Sequence, residues 1–312
     1  MSTVQSERPS PRLRDVTLRD GLQLTGGLLP VEAKLRVART LLGLGVPELE
    51  VGSFARPDKV PPMANTPELL AELTEDERER CWVWVATPGH VRRAADAGAR
   101  NVQYCLSVAQ EHNLANIGRT VEASLEALPE AVAAAGDAGM RIQLCLATAF
   151  TSPFEGPVDP DDVLRIVTDE RTDGTCDVVI ADTLGQATPH QVEDLTADVV
   201  AAAGGRGVVF HGHDTWGQGV ANSLAAWRAG ADTVDGALGG LGGCPFAPGA
   251  SGNTASEDLL FATRPDWLTP DAFREVVRQG QAVLSAVGEP SRSRAAQGAV
   301  TTTKVFDWRL NA

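Results

Sequence analysis

The chain has 312 residues, and its 27 basic and 41 acidic residues give a formal charge of −14. Hydrophobic residues make up 43% and charged residues 22%, which is ordinary for a globular protein and excludes disorder along the whole chain. The acidic balance argues against non-specific nucleic-acid binding, and the sequence contains no apolar run long enough to predict a membrane span. The amino terminus lacks the apolar core of a signal peptide, and five cysteines without close spacing do not indicate a disulfide framework, so we expect a cytoplasmic protein.

Short β-branched runs alternate with helical patterns along the chain. The predicted strands cover residues 13–18, 48–51, 81–86, 101–106, 141–147, 176–181, 207–211 and 233–237. The predicted helices cover residues 30–44, 66–72, 88–97, 119–138, 159–168, 189–203, 218–229 and 255–262. Alternation of this kind indicates a parallel sheet, and eight units favour a closed (β/α)8 TIM barrel. An open doubly wound sheet is the alternative, but no G-x-G-x-x-G motif follows the first strand.

A further helix at 270–287 and a tail containing Arg292 and Arg294 follow the eighth unit. The sequence has no low-complexity segment and no linker long enough to divide two domains. We therefore expect residues 1–264 to form a catalytic TIM barrel and residues 265–312 to form a C-terminal helical extension of the same domain.

Unusual polar residues recur where the predicted strands end. They are Arg19, Asp20, Glu50, Ser107, Thr148, Asp182, His211, His213, Asp214, Cys244 and Asn253. In a TIM barrel the loops at the carboxyl ends of the strands carry the active site. The pattern therefore predicts one site at that end of the barrel.

His211 and His213 are separated by one glycine at the end of the seventh predicted strand. Side chains two residues apart on a strand point to the same side, so both imidazoles can bind one cation. Asp20 and Asn253 would add oxygen ligands, and this mixed set suits Mg²⁺ or Mn²⁺, with Zn²⁺ a further option. The alternative is a pair of histidines hydrogen-bonded in a polar barrel mouth without a metal.

The other polar residues also have structural alternatives. Arg19 and Asp20 could form a salt bridge at a surface turn, and Glu50 could form a structural ion pair with an arginine. Cys244 could be a small packing residue, but its flanking glycines indicate an exposed loop and favour a reactive thiol. The remaining cysteines fall in predicted strands, and we interpret them as packing residues.

Three segments resemble the 3-hydroxy-3-methylglutaryl-CoA (HMG-CoA) lyases, which belong to the wider metal-dependent lyase and aldolase barrels. VTLRDGLQ at 16–23 resembles the opening of that family, and FHGHDTWGQ at 210–218 resembles its strand 7 motif. GGLGGCPFAPGASGNTASED at 239–258 is similar to the family's cysteine loop. The resemblance implies cleavage of a 3-hydroxyacyl-CoA to acetyl-CoA and a keto acid by retro-Claisen or retro-aldol chemistry.

The same resemblance implies roles for single residues. The metal ligands would be Asp20, His211, His213 and Asn253. Arg19 would stabilise an enolate oxygen, Glu50 and Asp182 would be site carboxylates, and Cys244 would take part in proton transfer. The residues expected to contact substrate are Gln23, Ser107 and Thr148.

The chain departs from the family pattern on the substrate side, at Leu24, Thr25, Gly89, Ala109 and Gln110. The acyl substrate therefore stays open between an HMG-CoA-like thioester and a related hydroxy acid or acyl-CoA. Two alternatives remain: an aldolase or condensing enzyme, and a non-catalytic barrel that only binds a ligand. The family commonly forms dimers, which makes a homodimer an expectation here.

Overall fold

Eight parallel strands close into a barrel in the computed structural model, which describes residues 9–243, 246, 251–301 and 306–310. They are β1 (Arg12–Asp15), β2 (Glu48–Ser53), β3 (Cys81–Val85), β4 (Asn101–Ser107), β5 (Arg141–Ala147), β6 (Asp177–Asp182), β7 (Gly207–Gly212) and β8 (Thr233–Gly236). Neighbouring strands pair in chain order, and β8 closes the barrel on β1 through pairs that include Arg14 with Asp235. The predicted TIM barrel is confirmed, and the open sheet is wrong.

Helices surround the barrel. They are α1 (Val31–Leu44), α2 (Thr66–Glu72), α3 (Glu75–Arg78), α4 (Pro88–Asp96), α5 (Gln110–Ile117), α6 (Val121–Asp137), α7 (Pro160–Val167), α8 (Pro189–Ala202), α9 (Gly219–Ala229), α10 (Ser256–Thr263), α11 (Pro270–Val287) and α12 (Arg294–Ala299). Threonine side chains fix several helix starts, since Thr188 and Thr269 each accept a hydrogen bond from the third amide of the helix that follows. Within the described residues, no helix combines the length and apolar character needed to cross a bilayer.

The first strand is shorter than predicted. The apolar run 13–18 predicted one strand, but β1 ends at Asp15 and Thr17–Gly21 form a single wide helical turn. Asp15 Oδ1 accepts from Thr17 N at 3.0 Å, and Gly21 N donates to Val16 O at 3.1 Å, so local hydrogen bonds turn the chain. Hydrophobicity alone cannot separate a buried turn from a buried strand, which explains the error.

Helix α5 was missed. The helix predicted over 119–138 corresponds to α6, and the structure adds α5 before it. Gly118, with φ of 71°, ends α5 in the left-handed conformation that glycine adopts without a steric penalty. This additional helix carries polar side chains to the barrel mouth.

A layer of polar side chains fills the barrel interior below its mouth. Arg14 donates to both carboxylate oxygens of Asp235, at 2.8 and 2.7 Å, and to Gln103 Oε1 at 3.1 Å. Gln143 donates to the same Gln103 oxygen at 2.7 Å. All four side chains are buried, and burial of their charges is tolerable because each charge has a partner. The layer forms a rigid floor for the residues above it.

Candidate active site

Asp20, His211 and His213 meet at the mouth of the barrel. They offer ligand atoms that all lie within 4.8 Å of one another, and all three side chains are buried. Burial opposes ionisation, but the Arg19 guanidinium and the two imidazoles hold the pKa of Asp20 well below its usual range. The cluster therefore combines a charged carboxylate with two imidazoles.

Asn253 joins this cluster through its side-chain amide. Its Nδ2 donates to Asp20 Oδ2 at 2.8 Å and to Leu241 O at 2.9 Å. Its Oδ1 is buried and accepts no hydrogen bond from any described residue. A buried amide oxygen without a partner is unfavourable, and a bound cation would supply one. The carboxylate and the two imidazoles fit a divalent cation, and turning the Asn253 amide over would bring its Oδ1 to the side where Nδ2 now contacts Asp20.

Asp235 orients one of the imidazoles. Its Oδ2 lies 3.0 Å from His211 Nδ1, and Arg14 holds the same carboxylate from below. This contact leaves His211 Nε2 for a ligand, as outer partners of metal-binding histidines commonly do. Asp235 is a site residue that the sequence did not predict, although a carboxylate within the short strand β8 is a usable signal.

Arg19 is held in one position by two carboxylates. Its Nε lies 2.5 Å from Glu50 Oε2, and its Nη1 lies 2.6 Å from Asp20 Oδ1. Glu50 Oε1 accepts from Gln103 Nε2 at 2.9 Å, so both oxygens of Glu50 are occupied. Gln23 donates to Asp20 Oδ1 at 2.9 Å. Arg19 borders a cavity at the barrel mouth, and Glu50, which does not border that cavity, holds the Arg19 side chain in place.

The cavity bordered by Arg19 and by the cluster of Asp20, His211 and His213 has a volume of about 110 Å³. One side, here called the charged wall, consists of Arg19, Asp20, His211 and His213. The side formed by β4, β5 and α5, here called the neutral wall, consists of Cys105, Cys145, Ala147 and His112. Gln23, Asn116 and Phe246 also border the cavity. The sequence predicts Cys105 and Cys145 as packing residues and offers only a weak case for His112 as a site residue.

Three other predicted site residues lie beside this cavity without lining it. Asp182 accepts hydrogen bonds from the backbone amides of residues 186 and 187, both at 3.1 Å, and burial raises its pKa. Ser107 Oγ lies 2.7 Å from His112 Nδ1. Thr148 Oγ1 donates to Ala147 O at 2.7 Å. These contacts give all three residues supporting positions around the site.

Two further candidates have different outcomes. Cys244 lies outside the described residues. Asp214 caps α9 by accepting from Gly219 N at 2.7 Å. It borders a separate, more apolar cavity of about 950 Å³ beside α10 and α12, which also touches Asn253. The Asp20, His211 and His213 cluster and Arg19 all line the smaller cavity, which is therefore the candidate active site.

A family model described as HMGL-like matches residues 10–275 of the chain. This chain belongs to the HMGL-like family. The family resemblance drawn from the three motifs is confirmed, and the barrel is that of a lyase of this family. The alternative of a non-catalytic binding protein is set aside. The family depends on divalent metals, in keeping with the buried cluster of Asp20, His211 and His213.

Its relatives are lyases of acyl-CoA thioesters. An (R)-citramalyl-CoA lyase from Chloroflexus aurantiacus is 36% identical over 256 residues, covering 79% of this chain and 81% of the relative. An HMG-CoA lyase from Pseudomonas mevalonii is 32% identical over 288 residues, covering 90% and 94%. The structure of an HMG-CoA lyase from Acinetobacter baumannii in complex with coenzyme A and 3-methylmalate has a TM-score of 0.86 and 30% identity, covering 98% and 99%.

Proposed function

We propose that this chain is a divalent-metal-dependent lyase that cleaves a 3-hydroxyacyl-CoA to acetyl-CoA and a keto acid. The observation that carries the proposal is the direct contact between Arg19 and the Asp20–His211–His213 cluster. A cation site and a fixed guanidinium thereby border one small cavity. Breaking a carbon–carbon bond between an alcohol carbon and a thioester α-carbon requires both kinds of group.

The first requirement is the removal of the hydroxyl proton. Asp20, His211, His213 and Asn253 would hold the cation, which when bound lowers the pKa of a hydroxyl group that it contacts, so that the hydroxyl proton can pass to solvent water. Asp235 keeps the His211 ring in position for this task through its 3.0 Å contact with Nδ1.

The second requirement is stabilisation of the negative charge that develops on the thioester oxygen. The Arg19 guanidinium stays protonated, and Glu50 and Asp20 fix its orientation before substrate binds. A preorganised cation in a buried site stabilises developing charge without a cost of reorganisation. We therefore assign Arg19 as the electrophile.

The third requirement is a proton for the departing α-carbon. We assign this to Cys244 on the strength of the cysteine-loop motif alone. A thiol with an ordinary pKa of about 8.5 remains protonated at neutral pH and can donate. The other predicted site residues act as supports in this proposal, since Glu50 holds Arg19 and Asp182 fixes its own loop.

The substrate is a short, branched 3-hydroxyacyl-CoA with a carboxylate, of the HMG-CoA or citramalyl-CoA kind. These two thioesters differ by one methylene between the alcohol carbon and the carboxylate. The chain is 36% identical to a citramalyl-CoA lyase and 32% identical to an HMG-CoA lyase, so both thioesters are candidate substrates.

A condensing enzyme that runs the reaction in reverse is the second candidate function. The homodimer and the cytoplasmic location stay predictions.

The test is a cleavage assay with HMG-CoA and both enantiomers of citramalyl-CoA, each with Mg²⁺, Mn²⁺ or Zn²⁺. Mass spectrometry should detect acetyl-CoA and a keto acid from at least one thioester, only with metal present. The variant Asp20→Asn, which removes the charge of one proposed cation ligand, is the negative control and should abolish this turnover. The absence of cleavage with every metal and thioester would refute the proposal, and net synthesis from acetyl-CoA and a keto acid would favour the condensing enzyme.

A further inference from the structure

Ser107 and His112 form a hydrogen-bonded pair at the neutral wall. Ser107 Oγ lies 2.7 Å from His112 Nδ1, and both residues are buried. Asn113 fixes the pair, because its Oδ1 accepts from Ser107 N at 2.8 Å and its Nδ2 donates to Ser124 Oγ at 3.0 Å. The histidine is therefore anchored to the end of β4.

This pair determines which ring nitrogen of His112 carries the proton. The Ser107 hydroxyl has no other acceptor among the described residues, and we therefore assign it as the donor to Nδ1, which places the ring proton on Nε2. His112 lines the cavity, and Nε2 is the ring nitrogen that the Ser107 contact leaves for a ligand there. Burial also lowers the pKa of His112 to about 4, so the ring is neutral at neutral pH.

Two aromatic rings hold the imidazole in place. Phe246 packs against it edge to face, with ring centroids 5.0 Å apart, and the Phe154 centroid lies 6.2 Å away. Contacts of this geometry restrict rotation of the ring. His112 thus presents a neutral N–H donor in a fixed direction, which is the arrangement of a binding group.

We propose that His112 is a substrate-binding residue whose Nε2–H donates to the carboxylate of the acyl group. The inference rests on the proposed function, in which Arg19 takes the thioester oxygen and the cation takes the hydroxyl group. The carboxylate is the remaining strong acceptor of such a substrate. Asn116, one turn after His112 on α5, also borders the cavity and adds an amide on the same side.

The test uses the metal-loaded enzyme and two substitutions. His112→Phe keeps an aromatic ring against Phe246 but removes both nitrogens, whereas His112→Gln keeps an N–H donor. His112→Phe should raise KM for the carboxylated substrate by about tenfold to a hundredfold, as expected for a hydrogen bond to a charged group. The inhibition constant of 3-hydroxy-3-methylbutanoyl-CoA, which lacks the carboxylate, should change less than about twofold. His112→Gln should recover part of the loss.

The matched control is His90→Phe. His90 is a partly buried histidine whose Nδ1 accepts from a backbone amide, that of Ala86 at 3.4 Å, and it does not line the cavity. This substitution should leave KM unchanged. An active His112→Phe enzyme with unchanged KM, or with equal losses for both thioesters, would overturn the inference while the proposed function stands. A wild-type enzyme that cleaves no acyl-CoA would overturn both.

A second measurement is made on the wild-type enzyme. Nitrogen NMR of the histidine rings of the wild-type enzyme reports which nitrogen is protonated, and His112→Gln assigns the signal. The inference requires the proton on Nε2 at neutral pH. A proton on Nδ1 would overturn it.

Discussion

The two walls of the cavity differ in the charge of their side chains and in the roles that we propose for them. On the charged wall, Arg19, Asp20, His211 and His213 contact one another or are held by carboxylates from below. On the neutral wall, thiols, a methyl group and a neutral imidazole face the same space. From this contrast we infer that the charged wall carries out the reaction and the neutral wall recognises the substrate. Changes on the charged wall should therefore reduce kcat or metal affinity, and changes on the neutral wall should mainly raise KM.

Outside the Asp20, His211 and His213 cluster, Arg19→Lys should give the largest loss. Lysine keeps a positive charge but lacks the planar group that contacts Glu50 and Asp20 together. We expect kcat to fall by about a hundredfold to a thousandfold, the usual effect of removing a preorganised group that stabilises transition-state charge. Steady-state kinetics test this, with Arg93→Lys as a control at an arginine that does not line the cavity. A kcat within a few-fold of wild type would remove Arg19 from the chemistry.

Asp235→Asn should have the next largest effect. The neutral amide replaces the charged carboxylate that accepts from His211 Nδ1. It also weakens the hydrogen bond that Arg14 donates to residue 235. Outer-partner substitutions of this kind lower metal affinity by about tenfold to a hundredfold. Calorimetric titration with Mn²⁺ measures the change, and Asp58→Asn, at an exposed carboxylate, is the control. Equal Mn²⁺ affinity in wild type and Asp235→Asn would show that His211 needs no such support.

Ser107→Ala tests the neutral wall with a smaller change. Without the hydroxyl group, His112 Nδ1 loses its partner at 2.7 Å and the ring proton is no longer confined to Nε2. KM for the carboxylated substrate should rise by about threefold to tenfold, while kcat stays close to wild type. A fall in kcat with constant KM would contradict the division of labour between the walls.

Glu257→Gln should affect stability and its dependence on pH. Both carboxylate oxygens of Glu257 accept from Gly239 N, and burial raises the pKa of this residue to about 8. In the unfolded chain Glu257 ionises near pH 4.5, so its contribution to stability is complete below that pH and is lost as pH rises towards 8. From pH 5 to pH 8 the wild-type Tm should fall by about 5 °C more than that of the variant. Parallel Tm profiles for the two proteins would refute the assignment.

The barrel and the charged wall were largely predictable from the sequence. Strand–helix alternation predicted the fold, and the motifs around Asp20 and His211 contain residues that the structure brings together. Asp235 was not predicted as a site residue because it contacts the site only through the side chain of His211. His112 has only a weak case in the sequence, because the helix that carries it, α5, is not predicted. Contacts across the barrel depend on register and loop geometry, which local patterns do not report.

The proposed function depends most on the charged wall being a metal centre. The direct test is a crystal grown with Mn²⁺ and measured at a wavelength where manganese scatters anomalously. The proposed function predicts one strong peak bounded by Asp20, His211, His213 and Asn253, and no peak there in Asp20→Asn. A peak elsewhere, or no peak at saturating Mn²⁺, would contradict it.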